Sequence, residues 1–553
     1  MDLRTAAAYR PTKPELAVFV SGVTSMGLEI LAVRIIAPQF GSHIYTVGGI
    51  LTVVLAALSL GYWQGGKRAR GATNREMSWL LLATALYVAI VIYASDLLLI
   101  QTSTLALPPR YAALPSAIIL FGPPTYLLGF ISPYAAELSQ KAGVGEASGH
   151  VYALGTIGSI LGSAATTFVL IPAMSIDTIG VLFGGLLVGT AIVLTLPSIS
   201  RKPLLASVTI VLLLVAATGA GPITYDHRGD VVYQTQTAYQ ELEIIDDGDT
   251  RIMYLDGARH SAIDLEAPDR HVFEYTRYFH LPMLMTEDVD DVDRVLFIGG
   301  GGYVGPQDFE DHYDATVDVV EIDPGVTTAA EDYFGLEESE TMTAHTNDGR
   351  QFLQNTDETY DVIILDAYKQ DQVPFHLTTV EFMDLVSDRL TDDGVFYANV
   401  IAAPNGPASE FYHAQQRTMD QAFPDTYSFR TSESNDIQNI QIVATNHETG
   451  FSEAELAERN DARNLSVDLS EAVGNYMPAS DDSDAPILRD DRGEVDSLLD
   501  PMLGQRYVIE ETEDGSGSSE PPSPSQSVGG EPPIAATQQT ESRPPLVVTP
   551  FGR

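Results

Sequence analysis

Seven apolar runs, each near the length needed to cross about 30 Å of hydrocarbon, fill the first 220 or so residues. They lie near Leu16 to Ala37, Thr46 to Gly65, Met77 to Ile100, Ser116 to Tyr134, Val151 to Ala173, Ile176 to Leu196 and Pro203 to Ala220. The first is long and others follow, so it reads as a span and not as a cleaved signal peptide. Beyond them the pattern changes. From Val231 to Ser261 apolar and polar residues alternate around Asp247-Gly248, which predicts a small antiparallel β lid. A helical stretch near Phe273 to Met285 comes next. Strands at Arg294 to Ile298, Val317 to Ile322, Asp361 to Leu365 and Val395 to Val400 then alternate with helical segments such as Thr379 to Leu390. Such alternation predicts a mainly parallel, doubly wound sheet. The expected domains are a multi-span membrane domain at 1–221, the lid and connector at 222–290, a nucleotide-binding domain at 291–450 and a packed extension at 451–511. The tail, 512–553, is rich in Ser, Pro, Gly, Gln and Glu and is expected to be disordered.

Charge separates the halves. Up to Pro222 the chain has 12 Lys or Arg and 8 Asp or Glu; the remainder has 18 and 67, and so holds nearly all of the net charge of −45. Such a surface repels phosphates, which excludes a nucleic-acid partner. With five lysines in the chain and acids scattered throughout, it suits a protein kept soluble in concentrated salt, and a halophilic archaeon is the expected source. There is no cysteine, hence no disulfide, thiolate nucleophile or Cys-ligated metal, and no metal is expected. Arg4, Arg10, Lys13, Lys67, Arg68, Arg70, Arg75, Lys141, Arg201 and Lys202 fall in alternate loops, which predicts a cytoplasmic amino terminus in a multi-pass cell-membrane protein. Seven spans would place the soluble region outside, whereas the supply of a nucleotide cofactor favours the cytoplasm; the sequence leaves the side open.

Glu29 lies well inside the first run, where an ionisable group is costly and marks a candidate polar site. Arg34, near the end of that run, is placed to snorkel. Gly22, Gly27, Gly61, Gly65, Gly66, Gly155, Gly158 and Gly162 are expected to allow close helix packing. In the soluble region, ligands of a doubly wound sheet sit beyond the carboxyl ends of the strands. After the first of those strands, Gly300, Gly302 and Gly305 give the spacing GxGxxG, and Glu321 ends the next strand about twenty residues on, where an acid accepts hydrogen bonds from ribose hydroxyls. This is a Rossmann-like signature. Asp323-Pro324 reads as a helix cap with proline at the first helical position. Asp348 and Asp366 fall at two further strand ends: Asp348 suits an adenine amino group, and Asp366, after the central apolar strand, should project into the reaction space.

Together these residues resemble the spermidine synthase family, in its branch with a multi-span amino-terminal region. The resemblance runs to about Ile509. It is carried by SGVTSMGLEILAVRIIAPQFGSHIYTVGGILTVVLAALSLGYWQGG, HVYALGTIGSILGS, AYQ at Ala238 to Gln240, LDG at Leu255 to Gly257, YTRYFHLP, the glycine loop, VEIDP, NDGRQFL and ILDAY. It implies a class I methyltransferase-type fold, decarboxylated S-adenosylmethionine or S-adenosylmethionine as co-substrate, and a small amine as acceptor. It also implies contacts of Gln240 with the donor, Glu321 with its ribose, Asp348 with its adenine and Asp366 with the attacking amine. Tyr239, Asp371 and His280 are assigned to the substrate side. Three departures stand out. Gly302 occupies the place where the family has an Asp that holds the donor's amine, and His260 is the nearest counterpart of a family glutamine. Lys369 interrupts the acidic pair that grips a diamine, where it would repel a cation unless it points away. The expected activity is membrane-anchored aminopropyl transfer. The alternatives are S-adenosylmethionine-dependent methyl transfer, and transport of a cationic metabolite by the spans with a catalytically weakened, nucleotide-sensing domain. Oligomeric state is left open, a homodimer being one option.

Overall fold

A computed structural model describes residues 11–512 apart from 42, 106, 140–142, 198–200, 220–228, 338, 370–371, 464 and 479–483. Asp371 and the tail from 513 onward therefore lie outside the described residues. Among the described residues six helices are long and apolar enough to cross a membrane: α1 (Lys13–Phe40), α2 (Ile44–Arg68), α3 (Asn74–Ser103), α4 (Leu114–Glu137), α5 (Val144–Ala173) and α6 (Ile176–Thr195). That is one fewer than the seven runs. The seventh run is also helical, α7 (Arg201–Gly219), and it packs on α3 and α6. Caps fix the helix starts. Thr12 and Glu15 close a capping box on α1, and Thr73 and Glu76 another on α3, each satisfying amides the first turn leaves without partners.

Small residues set the packing of the bundle. A Cβ added at Gly158 or Gly162 of α5 would collide with the carbonyl oxygens of Phe19 or Val23 on α1, and Gly61 of α2 meets Gly129 of α4 in the same way. Gly66 departs from the expectation, since it faces open space and packs on nothing.

In the soluble region β1 (Asp230–Gln236), β2 (Glu241–Asp247), β3 (Thr250–Leu255) and β4 (Ala258–Asp264) form a separate four-stranded antiparallel sheet. Its β2–β3 turn places Gly248 at φ 62°, a conformation glycine adopts without strain. The main sheet has eight strands. Parallel β5 (Arg294–Ile298), β6 (Thr316–Glu321), β7 (Met342–Thr346), β8 (Tyr360–Leu365) and β9 (Leu390–Ala402) are joined by antiparallel β10 (Asp425–Arg430), β11 (Gln438–Thr445) and β12 (Tyr476–Met477). Their spatial order is β12-β10-β11-β9-β8-β5-β6-β7. Alternation along β5 sends Val295 and Phe297 into one apolar core and Leu296 and Ile298 into the other, so both faces of the sheet are covered. The order reverses beside β5, which has β6 on one flank and β8 on the other, and such a switch opens a crevice at the carboxyl ends.

Contacts among the described residues tie this region to the bundle, two of them through arginines. Arg34 Nη2 of α1 donates to the Ala238 carbonyl oxygen at 2.6 Å, and Arg110, between α3 and α4, pairs with Asp500 at 2.5 Å. Both fall at the end of the bundle opposite Lys67 and Arg68, which close α2, and Arg75, which opens α3.

Gly158→Leu should force α1 and α5 apart and cost roughly 1–3 kcal/mol, the usual range for overpacking. Thermal unfolding of the detergent-solubilised chain measures this, and an unchanged midpoint would contradict the close-packed α1–α5 seam.

Candidate active site

At the carboxyl edge of the sheet the chain passes directly from β5 into its glycine run. Left-handed backbone falls on Gly299 (φ 98°) and Gly301 (φ 50°), not on the glycines singled out by the GxGxxG spacing. Those three have other tasks. Gly300 donates its amide to Glu321 Oε2 at 2.9 Å, and Gly302 donates to Ser261 Oγ at 2.8 Å. Gly305 sits inside α8 (Val304–His312), where a Cβ would press on the Phe279 ring. At Gly302 an added Cβ would lie 2.8 Å from Ser261 Cβ and 2.9 Å from the Phe334 ring. This site has filled the volume an aspartate there would need.

Glu321 ends β6. Its Oε2 accepts from Gly300 and its Oε1 from the Asp323 amide at 2.8 Å; desolvation raises its pKa and these amides oppose the rise. Asp323 caps α9 (Pro324–Tyr333), as its sequence context predicts, by accepting from the Gly325 amide at 3.0 Å. Its other oxygen accepts from Thr237 Oγ1 at 2.6 Å and from Gln240 Nε2 at 3.4 Å, so the cap also anchors the loop between β1 and β2.

Asp366 follows β8. Its amide donates to the Ile298 carbonyl at 2.9 Å, which fixes it beside the glycine run. Burial raises its pKa to about 6, against the pull of Asn399, whose Nδ2 donates to Oδ1 at 2.7 Å. Asn399 Oδ1 accepts in turn from Asn439 Nδ2 at 2.9 Å, and Asn439 Oδ1 accepts from Tyr507 OH at 2.7 Å. This relay brings β9, β11 and the carboxyl-terminal segment to bear on one carboxylate. Sequence reasoning missed it, although Asn399 sits on β9, the next strand to β8, within an otherwise apolar run.

Lys369 does not point away. Its Nζ donates to Gln240 Oε1 at 2.5 Å and to Asp256 Oδ2 at 3.2 Å. The cation is thus paired inside the loop cluster that carries Gln240. Burial, then the Lys369 charge, push His260 down to about 3, so this imidazole is neutral at ordinary pH. Tyr239, beside Gln240, is half exposed.

The two remaining expected site residues in the described chain are placed differently from one another. Asp348 caps α10 (Gly349–Asn355) by accepting from Gln351 at 3.0 Å, and its other oxygen meets His376 Nε2 at 2.8 Å; it lies beyond β7, on the same edge as Glu321. His280 is withdrawn from that edge. It is 1% exposed, its Nε2 lies 2.8 Å from Asp308 Oδ2, its Nδ1 meets Tyr313 OH at 2.7 Å, and its ring stacks on Phe309. With both nitrogens engaged in the core it has nothing to offer a substrate. His271, His280 and Asp308 bring their ligand atoms within 4.8 Å of one another, a spacing a cation could enter that the sequence reading did not foresee. Burial would raise the Asp308 pKa, but the two imidazoles outweigh it and hold the carboxyl well below its usual range.

The edge therefore brings together Gly300, hydrogen-bonded to Glu321, Gly302, held by Ser261, and Asp366, held by Ile298, with Gln240 joined to Glu321 through Asp323 and Asp348 one strand further along. Residues 273–432, which supply most of it, match the family model described as spermine/spermidine synthase domain. Relatives of the chain include the polyamine aminopropyltransferase of Vibrio vulnificus (strain CMCP6), 28% identical over 212 residues, covering 37% of this chain and 68% of that protein. They also include the probable polyamine aminopropyl transferase of Bifidobacterium longum (strain NCC 2705), 26% identical over 236 residues, covering 40% of this chain and 52% of the relative. Thus the chain spans two thirds of one relative and about half of the other, and those matches leave more than half of this chain uncovered. A solved structure of a probable spermidine synthase from Corynebacterium glutamicum ATCC 13032 aligns at 18% identity and a TM-score of 0.40, over 48% of this chain and 98% of that one.

Asn399→Leu removes the one side-chain donor that opposes the upward shift of Asp366. A hydrogen bond to a charged group, at ~1.5 kcal/mol, corresponds to roughly one pH unit. The titration of Asp366, followed by carbon NMR of labelled aspartate, is expected to move upward by that amount; an unmoved midpoint would contradict the relay.

Proposed function

We propose that the synthase domain transfers an aminopropyl group from decarboxylated S-adenosylmethionine to a small amine, as part of polyamine metabolism, and that the chain does so as a multi-pass membrane protein. The observation that carries the reading is Asp366: a carboxylate fixed at the β5–β8 switch with a pKa of about 6, beside the glycine run and Glu321. A primary ammonium must lose a proton before its nitrogen lone pair can attack the carbon next to a sulfonium. A base whose pKa lies near the working pH accepts that proton more effectively than an ordinary aspartate. The new C–N bond forms as the C–S bond breaks, the electron pair passes to sulfur, and the proton passes to Asp366 Oδ2, the oxygen opposite the one that Asn399 holds. The residues present suit the donor. Glu321 offers a desolvated carboxylate to ribose hydroxyls, and Gln240, held by Asp323 and Lys369, closes the side facing the four-stranded sheet, which would serve as a lid. Tyr239 is exposed on that side and free to meet the acceptor.

One observation favours a second reading, methyl transfer from S-adenosylmethionine. The Lys369 ammonium, paired with Gln240 and Asp256, is a partner suited to the carboxylate that only this donor carries, and Gly302 leaves no side chain to hold the amine of the decarboxylated one.

Membrane insertion is supported by the six long apolar helices. The synthase domain contacts the end of the bundle away from Lys67, Arg68 and Arg75. Since positively charged loops stay in the cytoplasm, this contact favours the opposite face for the domain, the arrangement that results when α7 crosses the bilayer along with the six.

Asp366→Asn should lower turnover of the full-length protein with decarboxylated S-adenosylmethionine and an amine panel by about 10²–10⁴-fold, with product amine and thioether followed by mass spectrometry. Wild-type kcat/KM should rise with pH and level off above about 6, because only the ionised Asp366, whose pKa burial has raised, accepts the proton. Full activity of the Asn variant would remove Asp366 from the mechanism. For sidedness the chain, which lacks cysteine, allows single-cysteine labelling. In intact cells a membrane-impermeant maleimide should modify Asp393→Cys and spare Arg70→Cys; the reverse pattern would place the domain in the cytoplasm.

A further inference from the structure

The membrane bundle encloses a cavity of about 480 Å³ between α1, α2, α4 and α5. Its lining is apolar with hydroxyl groups set into it, among them Ser25, Ser132 and Ser159, and it contains one carboxylate, Glu29. Glu29 is 16 residues into a 28-residue helix, about 24 Å along its axis at 1.5 Å per residue, and so near mid-bilayer. Among the described residues it makes no hydrogen bond or ion pair. Arg34, the nearest basic residue on α1, is committed to the Ala238 carbonyl. An intramembrane carboxylate without a partner is expensive, and such groups mark ligand or ion pathways.

We propose that this cavity is a binding site for an alkylammonium cation, with Glu29 as its counter-ion. The site is distinct from the synthase cleft, and the proposal does not rest on the transferase reading. Three features select this class of ligand. One carboxylate supplies the counter-charge for a single ammonium head, and the remaining polar atoms of the lining side chains are hydroxyls, whereas Ca²⁺ is bound by several carboxylate and carbonyl oxygens. The volume far exceeds a single desolvated ion and suits a chain of several carbons, whose methylenes would lie on the apolar walls. Tyr62 and Tyr152, 43% and 77% exposed, stand at the rim, where aromatic faces attract organic cations. The rim opens between α2 and α5, the least covered of the six long apolar helices. The close α1–α5 packing at Gly22, Gly158 and Gly162 fixes the wall that carries Glu29.

The test uses the full chain in detergent with spermidine as probe. Dicyclohexylcarbodiimide adds the protonated Glu29 carboxyl across one of its C=N bonds, and the acylisourea rearranges to a stable acylurea read as a mass increase on the α1 peptide. Spermidine should slow this labelling by about tenfold when nine-tenths of the sites are filled, while potassium chloride at equal ionic strength should not. Absence of labelling, or labelling indifferent to spermidine, would overturn the proposal. Equilibrium dialysis with labelled spermidine separates this site from the cleft. Binding should survive in Asp366→Asn and vanish when Glu29→Gln is added. Loss with Asp366→Asn alone would assign all binding to the cleft and overturn the cavity site, whatever the cleft is then found to catalyse.

Discussion

The chemistry of this chain depends on one close crossing of backbone, where the run after β5 meets the first residue after β8. Gly299 adopts φ 98°, and a Cβ there would run into the Asp366 carbonyl oxygen. The Asp366 amide in turn donates to Ile298. That contact holds Asp366 at the edge of the sheet, and the Gly300 amide fastens the next turn to Glu321. Both carboxylates are thereby desolvated, and burial gives Asp366 the raised pKa on which the proposed proton transfer draws. A side chain at Gly299 would separate the two strand ends and dissolve the site.

Around this crossing the supports are polar and continuous. Asp323 caps one helix and grips Thr237 and Gln240. Lys369 bridges Gln240 to Asp256 on the four-stranded sheet. The same loop accepts a hydrogen bond from Arg34 of the first membrane helix. One helix therefore carries Glu29 in the membrane cavity and, a turn and a half later, a guanidinium joined to the residue two before Gln240. A change in the tilt of α1 would be felt at Gln240, so this contact is one physical route between the membrane cavity and the carboxyl edge of the sheet.

Much of this was legible along the chain. The apolar runs gave the helices, and strand alternation gave β5, β6, β8 and β9 to within a few residues, because each contains a largely apolar stretch buried on both faces. The short edge strand β12 carried no pattern, and the antiparallel β10 and β11 had no predicted partner. Asp366 and Glu321 were legible because topology places a residue after each strand before its chemistry is considered. Asn399, Asn439 and Tyr507 were not, since a hydrogen-bond relay across non-neighbouring segments leaves no periodic trace. His280 misled for a related reason: its motif fixed it in the chain, but only the packing of Phe309 and Asp308 around it shows that both ring nitrogens are already used. The glycine spacing pointed to the right turn, although the left-handed backbone falls on Gly299 and Gly301 and not on the three glycines of the spacing.

The central claim is that the carboxyl edge of β5, β6 and β8 holds an adenosyl sulfonium donor, with Asp366 next to the transferring carbon. Calorimetric titration of the full-length chain with decarboxylated S-adenosylmethionine, and separately with S-adenosylmethionine, addresses it without any acceptor. Saturable one-to-one binding of the decarboxylated donor, weakened by Glu321→Gln and tighter than that of its carboxylated parent, is the expected result. Heat from neither donor would contradict the account, and tighter binding of the carboxylated one would turn the site over to methyl transfer.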